Sequence, residues 1–373
     1  MNPRLHILFV DDDSNLLQAL QRSLRPMRKD WDMEFADGGV SALAKLERSE
    51  FDVVVSDMKM PGINGCDLLD RVLASHPGTL RFILSGHAEQ SQLMQCVGPT
   101  HQFLSKPCDT GKLTASLQRV TSLEYLVEDP RLRHWLAHLD RLPCHPDHHR
   151  TLLQLLARPE TSIDELGSLI ATDPAMATLV LKLANSAFFG TASGTMDIRL
   201  ATVQLGIDVL RNLGHTLHLF SPLNVALHPQ LNAETCWRRS QRAARLLKEI
   251  VAQDPTPHVS PEDAYSVGLL LDVGHFAVSN APAEISRAFN ASHRHTIAAR
   301  AGAYLLGVWG FSDTIVETVA FQRGSVEKTS THPALLEAAQ FVTAMLDDES
   351  TEEARARGAA HPLWLKIYRE TTP

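Results

Sequence analysis

The sequence predicts an α/β unit built on a five-stranded parallel sheet, followed by an all-helical region. Up to about residue 120, five short apolar runs alternate with stretches whose apolar residues recur at helical spacing. Beyond that point the helical spacing continues and the strand-like runs stop. The later helical stretches are separated by turn and capping chemistry at Pro143 and Pro146, Asp173-Pro174, Ser221-Pro222, Pro255 and Pro257, and Ser260-Pro261. Strands that alternate with helices form parallel sheets covered on both faces, and the functional residues of such sheets gather beyond the carboxyl ends of the strands.

In chain order the apolar runs are Leu5 to Val10, Met33 to Ala36, Asp52 to Ser56, Arg81 to Leu84 and Gln102 to Leu104. After the first, Leu16, Leu17, Leu20 and Leu24 form one helical stripe. Leu113, Leu117, Val120 and Val127 keep the same spacing until Pro130, a stripe expected to cover the unit's own sheet. Packing of its extension against a second copy, giving a homodimer, stays open, because three or four sustained heptads are not present. In the helical region the stripes are Ile163, Leu166, Leu169 and Ile170, then Leu179, Val180 and Leu183, then Leu205, Val209, Leu210 and Leu213. Ser260 suits an N-cap with proline at the first helical position. The expected boundaries are 1–122 for the α/β unit, 123–138 for a linker helix, 139–335 for the helical domain and 336–373 for a helical extension. The charged stretch Asp347 to Arg357 reads as a solvated helix end.

At roughly 150 residues per domain, 373 residues make two or three domains. Lys plus Arg total 35 against 43 Asp plus Glu, a net charge of −8, with 44% hydrophobic and 21% charged residues. That balance argues against intrinsic disorder and against whole-protein attraction to nucleic acid or anionic membrane. No apolar run is long enough for membrane insertion and no secretory leader opens the chain, so a cytoplasmic location is expected. Cys66, Cys96, Cys108, Cys144 and Cys236 form no C-x-x-C pair; neither a disulfide framework nor a zinc cage is expected, and the thiols read as bystanders.

The chemistry concentrates at the predicted strand ends. Asp11, Asp12 and Asp13 follow the first strand, Asp57 ends the third, Ser85 the fourth, and Lys106 the fifth ahead of Pro107. Carboxylates brought to one rim repel, and a hard cation with oxygen ligands, most simply Mg2+, resolves the repulsion. A lysine and a small hydroxyl beside it supply what a phosphoryl group needs. One carboxylate can then act as nucleophile and form an aspartyl phosphate.

Four motifs, Ile7-Leu8-Phe9-Val10-Asp11-Asp12-Asp13, Ser56-Asp57-Met58-Lys59-Met60-Pro61-Gly62, Leu84-Ser85-Gly86 and Ser105-Lys106-Pro107, resemble the response-regulator receiver family over residues 3–122. The resemblance implies a flavodoxin-like sheet, Asp57 as phosphoacceptor, and Mg2+ held by Asp11, Asp12, Asp57 and the backbone carbonyl of Lys59. It implies that Ser85 and Lys106 contact the phosphoryl group, that Ser85 and Phe103 form the switch, and that a sensor histidine kinase is the phosphodonor partner. Phe103 lacks the hydroxyl of the family's frequent tyrosine, and Lys59 and His87 would influence the lifetime of the phosphate. A phosphoryl group adds about −1.5 to −2 charge units, enough to draw Ser85 inward and let Phe103 refill the space it leaves.

In the helical region, Ala171-Thr172-Asp173-Pro174-Ala175, Leu183-Ala184-Asn185-Ser186-Ala187-Phe188-Phe189-Gly190, Ala201-Thr202-Val203-Gln204-Leu205-Gly206 and Gly268-Leu269-Leu270-Leu271-Asp272-Val273-Gly274 resemble the HDOD output family over residues 135–330. That family is related to the HD phosphohydrolases, which hold catalytic metal with histidines and aspartates. Here the corresponding positions are Arg239, Leu271, Asp272, Ala298, Gln322 and Arg323, with Arg300 where an acidic residue is common. Asp272 alone survives, and one carboxylate does not hold a catalytic metal. The expectation is therefore a non-enzymatic output that binds an unidentified downstream protein.

Two competing functions are a metal-dependent phosphohydrolase of a signalling nucleotide, rebuilt around Asp272 with His275, His293 and His295, and a DNA-binding regulator using Arg238, Arg239, Arg242, Arg245 and Lys248. The acidic chain and the missing helix-turn-helix pattern disfavour DNA, and those cations are expected to form a solvated face. The Cys144, His145, His148, His149 tract has the spacing of no standard zinc site, and the Asn290-Ala291-Ser292 sequon reads as chance.

Overall fold

The computed structural model describes residues 4–86, 94, 96–106, 109–186, 188–189, 194–216, 220, 222–223, 233–279, 281–282, 284–285, 294–324, 330–348 and 350–371. These form two compact units. The first is Met1–Asp140 with the short segments Ser186–Gly190 and Gly307–Gly310; the second is Arg141–Asn185, Thr191–Leu306 and Phe311–Pro373.

The first unit is a five-stranded parallel sheet. Its strands are β1 (Leu5–Val10), β2 (Trp31–Ala36), β3 (Val53–Asp57), β4 (Leu80–Ser85) and β5 (Gln102–Ser105), in the order β2-β1-β3-β4-β5. All five predicted runs are strands. β2 starts earlier than its apolar run because buried Trp31 pairs with Leu5 across the sheet. The central strands are continuous apolar runs because helices cover both faces; Ile7 to Val10, Val53 to Val55 and Phe82 to Leu84 are all buried. Each such side chain contributes about 1.5–3 kcal/mol on burial. The register aligns Val10 with Ser56, Asp57 with Leu84, and Ser85 with Ser105, so the carboxyl ends of β1, β3, β4 and β5 come level at one rim. The strand order reverses at β1, which opens a crevice at that rim.

After β5, the helix Thr110–Ser122 buries Leu113, Leu117 and Val120. The expected linker helix is broken in two: a 3-10 turn at Glu124–Leu126 precedes the helix Pro130–His138, which Asp129 caps with proline in its first turn. Both pieces lie in the first unit. Arg81 of β4, fully buried, holds the second piece. Its guanidinium donates to the carbonyls of Pro99 (2.6 Å), Thr79 (2.6 Å) and Ala137 (3.0 Å), and burial pulls its pKa down to about 10.

The second unit is helical. Its central helix, Pro174–Ala184, is buried along its whole length, and Asp173 caps it by accepting from Ala175 N and Met176 N. Ser162 and Glu165 form a reciprocal capping box on the helix Ile163–Ile170. Ser260 caps the helix Pro261–Leu270 at Asp263 N, with Pro261 at its start as predicted. The helices Pro333–Asp348, Glu352–Ala360 and Pro362–Thr371 belong to the same unit, where Trp364 Nε1 donates to Asp254 Oδ2 at 2.9 Å. Among the described residues no single helix is long and apolar enough to cross a membrane.

One sequence expectation needs correction here. Cys66 and Cys96 are not bystanders: they lie 30 residues apart, are joined by a disulfide, and have Cα atoms 4.8 Å apart. Spacing alone did not show the pair because the fold, rather than a local motif, brings the two together. The charged stretch Asp347 to Arg357 is mostly exposed as expected, and within it Asp347 also accepts hydrogen bonds from Arg239 and Arg323. Cys108 lies outside the described residues.

Candidate functional site

Asp11 follows β1 and Asp57 ends β3, so both reach the crevice; Asp11 is 2% exposed and Asp57 6%. With exposed Asp12 they bring one carboxylate oxygen each to within 4.8 Å of one another. Asp13 faces away from this group and caps the helix Ser14–Ser23, accepting from Asn15 N at 2.8 Å. Lys106 Nζ lies 2.7 Å from Asp11 Oδ2 and 2.6 Å from Asp57 Oδ1. Burial pulls the Lys106 ammonium down, but its hydrogen bonds to the two carboxylates outweigh that and raise its pKa. Burial raises the Asp57 carboxyl above the usual range against the pull of Lys106.

The turn after β3 finishes the pocket. Lys59 N donates to Asp57 Oδ2 at 3.2 Å, and Asn64 caps the helix Gly65–Ser75. Gly65 N donates to Met58 O at 2.9 Å, and a Cβ on Gly65 would stand 2.1 Å from the Asp57 carbonyl oxygen, so only glycine lets this helix start against the strand end. Asn64 and Gly65 were not singled out in the sequence; the signal was the Asn64…Asp67 capping pattern. Ser85 is buried, with Oγ donating to Met58 Sδ at 3.6 Å and Gly86 O at 3.4 Å. Phe103 is buried, and within the same unit its ring meets Phe188 edge-on with centroids 5.8 Å apart. His87 lies outside the described residues. Three carboxylates against one ammonium leave negative charge at the rim, and this hard oxygen donor set suits a divalent cation such as Mg2+.

The HD-type positions of the second unit also come together, around a polar network in which the buried Asp272 Oδ2 has no hydrogen-bond partner among the described residues. Arg239 donates to Asp272 and, at 2.7 Å, to Asp347 Oδ1. Arg323 donates to both Asp347 oxygens. Gln322 Nε2 donates to Leu271 O at 2.6 Å, and its Oε1 accepts from Thr343 Oγ1 at 3.1 Å. Ala298 is fully buried, and a Cβ on Gly274 would lie 1.7 Å from its carbonyl oxygen, so the two backbones meet. Burial would raise the Asp272 carboxyl, but Arg239 overrides it and lowers the pKa. His275 is pushed down to about 4, chiefly by burial. Its Nε2 stands 4.0 Å from Asp272 Oδ1 and 3.3 Å from His295 Nδ1.

The expected solvated cationic face is only partly so. Arg238 is exposed and Lys248 half-buried, and they pair with Glu234 and Glu262, whereas the Arg239 side chain is 17% exposed and committed to the network. In the Cys/His tract, Cys144 is buried, His145 meets Glu234 at 2.9 Å, and His148 meets Asp173 at 3.0 Å. Asn290 and His293 lie outside the described residues.

Comparison with known proteins matches this geometry. The response regulator receiver domain model matches residues 7–118 and the HDOD domain model residues 142–324. The chain is 30% identical over 125 residues to the chemotaxis protein CheY-3 of Vibrio cholerae, covering 32% of this chain and 94% of that protein. It is 27% identical over 126 residues to the C4-dicarboxylate transport transcriptional regulatory protein DctD of Rhizobium meliloti, covering 34% of this chain but only 27% of that protein. The MmoQ response regulator of Methylococcus capsulatus is similar in structure, with a TM-score of 0.49 and 23% identity over 60% of this chain and 92% of that one. A receiver pocket on a parallel sheet, an HDOD match over the helical region and a near-complete single-domain relative lead to one conclusion: the chain belongs to the response-regulator family, as a receiver domain joined to an HDOD domain.

Proposed function

We propose that this response regulator accepts a phosphoryl group on Asp57 from a sensor histidine kinase and passes the signal on through a non-catalytic HDOD domain that binds a downstream protein. The observation that carries the proposal is Lys106 Nζ set between Asp11 and Asp57 at the sheet's carboxyl rim. Asp57 attacks the phosphorus of the donor, the bond to the leaving group breaks, and an aspartyl phosphate remains. Lys106 offsets charge on the transferred oxygens, and Ser85 supplies a hydroxyl hydrogen bond. Mg2+ is the metal we assign to Asp11, Asp12, Asp57 and the Lys59 carbonyl, where it would neutralise phosphoryl charge. Ser85 and Phe103 form the switch in this reading. The domains are assigned as 1–122 receiver, 123–138 linker, 139–335 HDOD and 336–373 extension.

The non-enzymatic reading of the HDOD domain is supported by the ion pair that already commits Asp272 to Arg239. The test is phosphoryl uptake from acetyl phosphate with Mg2+, followed by intact mass. Wild type gains one phosphoryl group per chain, while Asp57→Asn and the metal-free sample gain none. Equal uptake by Asp57→Asn would defeat the assignment.

A further inference from the structure

We propose that Cys66 and Cys96 form a redox-controlled disulfide that restrains the phosphoacceptor pocket and slows phosphoryl uptake, a proposal that rests on the phosphoacceptor reading of Asp57. The pair is built for closure: the Cα atoms are 4.8 Å apart, inside the span of ordinary disulfides, and the side chains are 4% and 0% exposed.

The position of the bond gives it control over the pocket. Cys66 follows Gly65, whose N–H is bonded to Met58 O and whose Cα abuts the Asp57 carbonyl. Cys96 lies on the crossover between Ser85, at the end of β4, and Phe103 on β5. The bond therefore ties the start of the helix after the phosphoacceptor to Cys96, which falls between the two switch residues in the sequence. With the bond closed, the Ser85 hydroxyl is directed to Met58 Sδ and Gly86 O. In a reducing compartment such a pair stays as thiols and closes only on oxidation. With hydrogen peroxide as oxidant, one cysteine thiol takes an oxygen to become sulfenic acid and releases water. The second thiol then attacks that sulfur, forming the S–S bond and releasing a second water.

The experiment uses the full chain, reduced with dithiothreitol or oxidised with hydrogen peroxide, beside Cys66→Ala and Cys96→Ala. Non-reducing peptide mapping reports the bond, and acetyl phosphate uptake with Mg2+ reports the pocket. The expected result is a Cys66–Cys96 cross-linked peptide in oxidised wild type, with uptake slowed at least fivefold. Both alanine variants label at the reduced wild-type rate with or without peroxide. Free thiols at both positions after peroxide, or equal uptake by oxidised and reduced wild type, overturns the proposal. If reduced wild type takes up no phosphoryl group, the Asp57 reading falls and the gating falls with it, while the peptide map still decides whether the bond forms.

Discussion

Lys106 Nζ stands 2.6 Å from Asp57 Oδ1 and 2.7 Å from Asp11 Oδ2, so one ammonium sits between two buried carboxylates. Replacing Lys106 with alanine leaves both carboxylates without their cation and is expected to cost about 2–3 kcal/mol of receiver stability. Mg2+ restores charge balance, so it raises the melting temperature of Lys106→Ala by more than that of wild type. Thermal melts with and without Mg2+ check this; an unchanged melting temperature in the variant would contradict it.

Arg81 donates to Ala137 O in the helix Pro130–His138, a carbonyl from which His101 Nε2 also lies 3.0 Å. Arg81→Met leaves buried carbonyls unpaired and is expected to destabilise the unit by about 3 kcal/mol. Hydrogen exchange in residues 130–138 should rise in parallel. Exchange confined to the site of substitution would show that the helix is held by other contacts.

Arg239 and Asp272 form a pair in which each single deletion strands the other. Arg239→Leu is expected to cost about 3–5 kcal/mol, and the double variant with Asp272→Leu distinctly less than the sum of the two singles. Chelators should leave the wild-type melting temperature of the HDOD domain unchanged. Additive losses in the cycle, or a chelator effect on the HDOD transition, would replace the ion pair with a metal-centred site.

His275 faces Asp272, His295, Arg239 and Arg323, and its folded pKa of about 4 lies below its unfolded value near 6.5. Between those values the unfolded chain binds more protons, so stability is full above about pH 6.5 and declines as pH falls toward 4. Denaturant midpoints measured at pH 7 and pH 5 in wild type and His275→Asn should show a smaller acid loss in the variant. An identical acid loss would assign the effect to other groups.

Much of the receiver was legible in the sequence because its central strands are uninterrupted apolar runs and its chemistry falls on residues at strand ends, as with Asp57 and Lys106. Contacts set by long-range packing were not. Asp347 reads as one more charge near a helix end, yet it is the shared acceptor of Arg239 and Arg323. Arg81 reads as an interruption in a strand, and its carbonyl partners become visible only when the chain returns to Ala137. Cys66 and Cys96 pair through a crossover rather than a motif. Asp13 showed the opposite limit: it belongs to an acidic triplet, but helix capping claims it instead of the pocket.

The most direct test of the central claim is to treat the reduced chain with acetyl phosphate and Mg2+, trap with borohydride, and sequence the peptides by tandem mass spectrometry. Reduction of an aspartyl phosphate yields homoserine, and the account predicts that residue at position 57, lost in Asp57→Asn. Homoserine at another aspartate, or none in a correctly folded wild type, would contradict it.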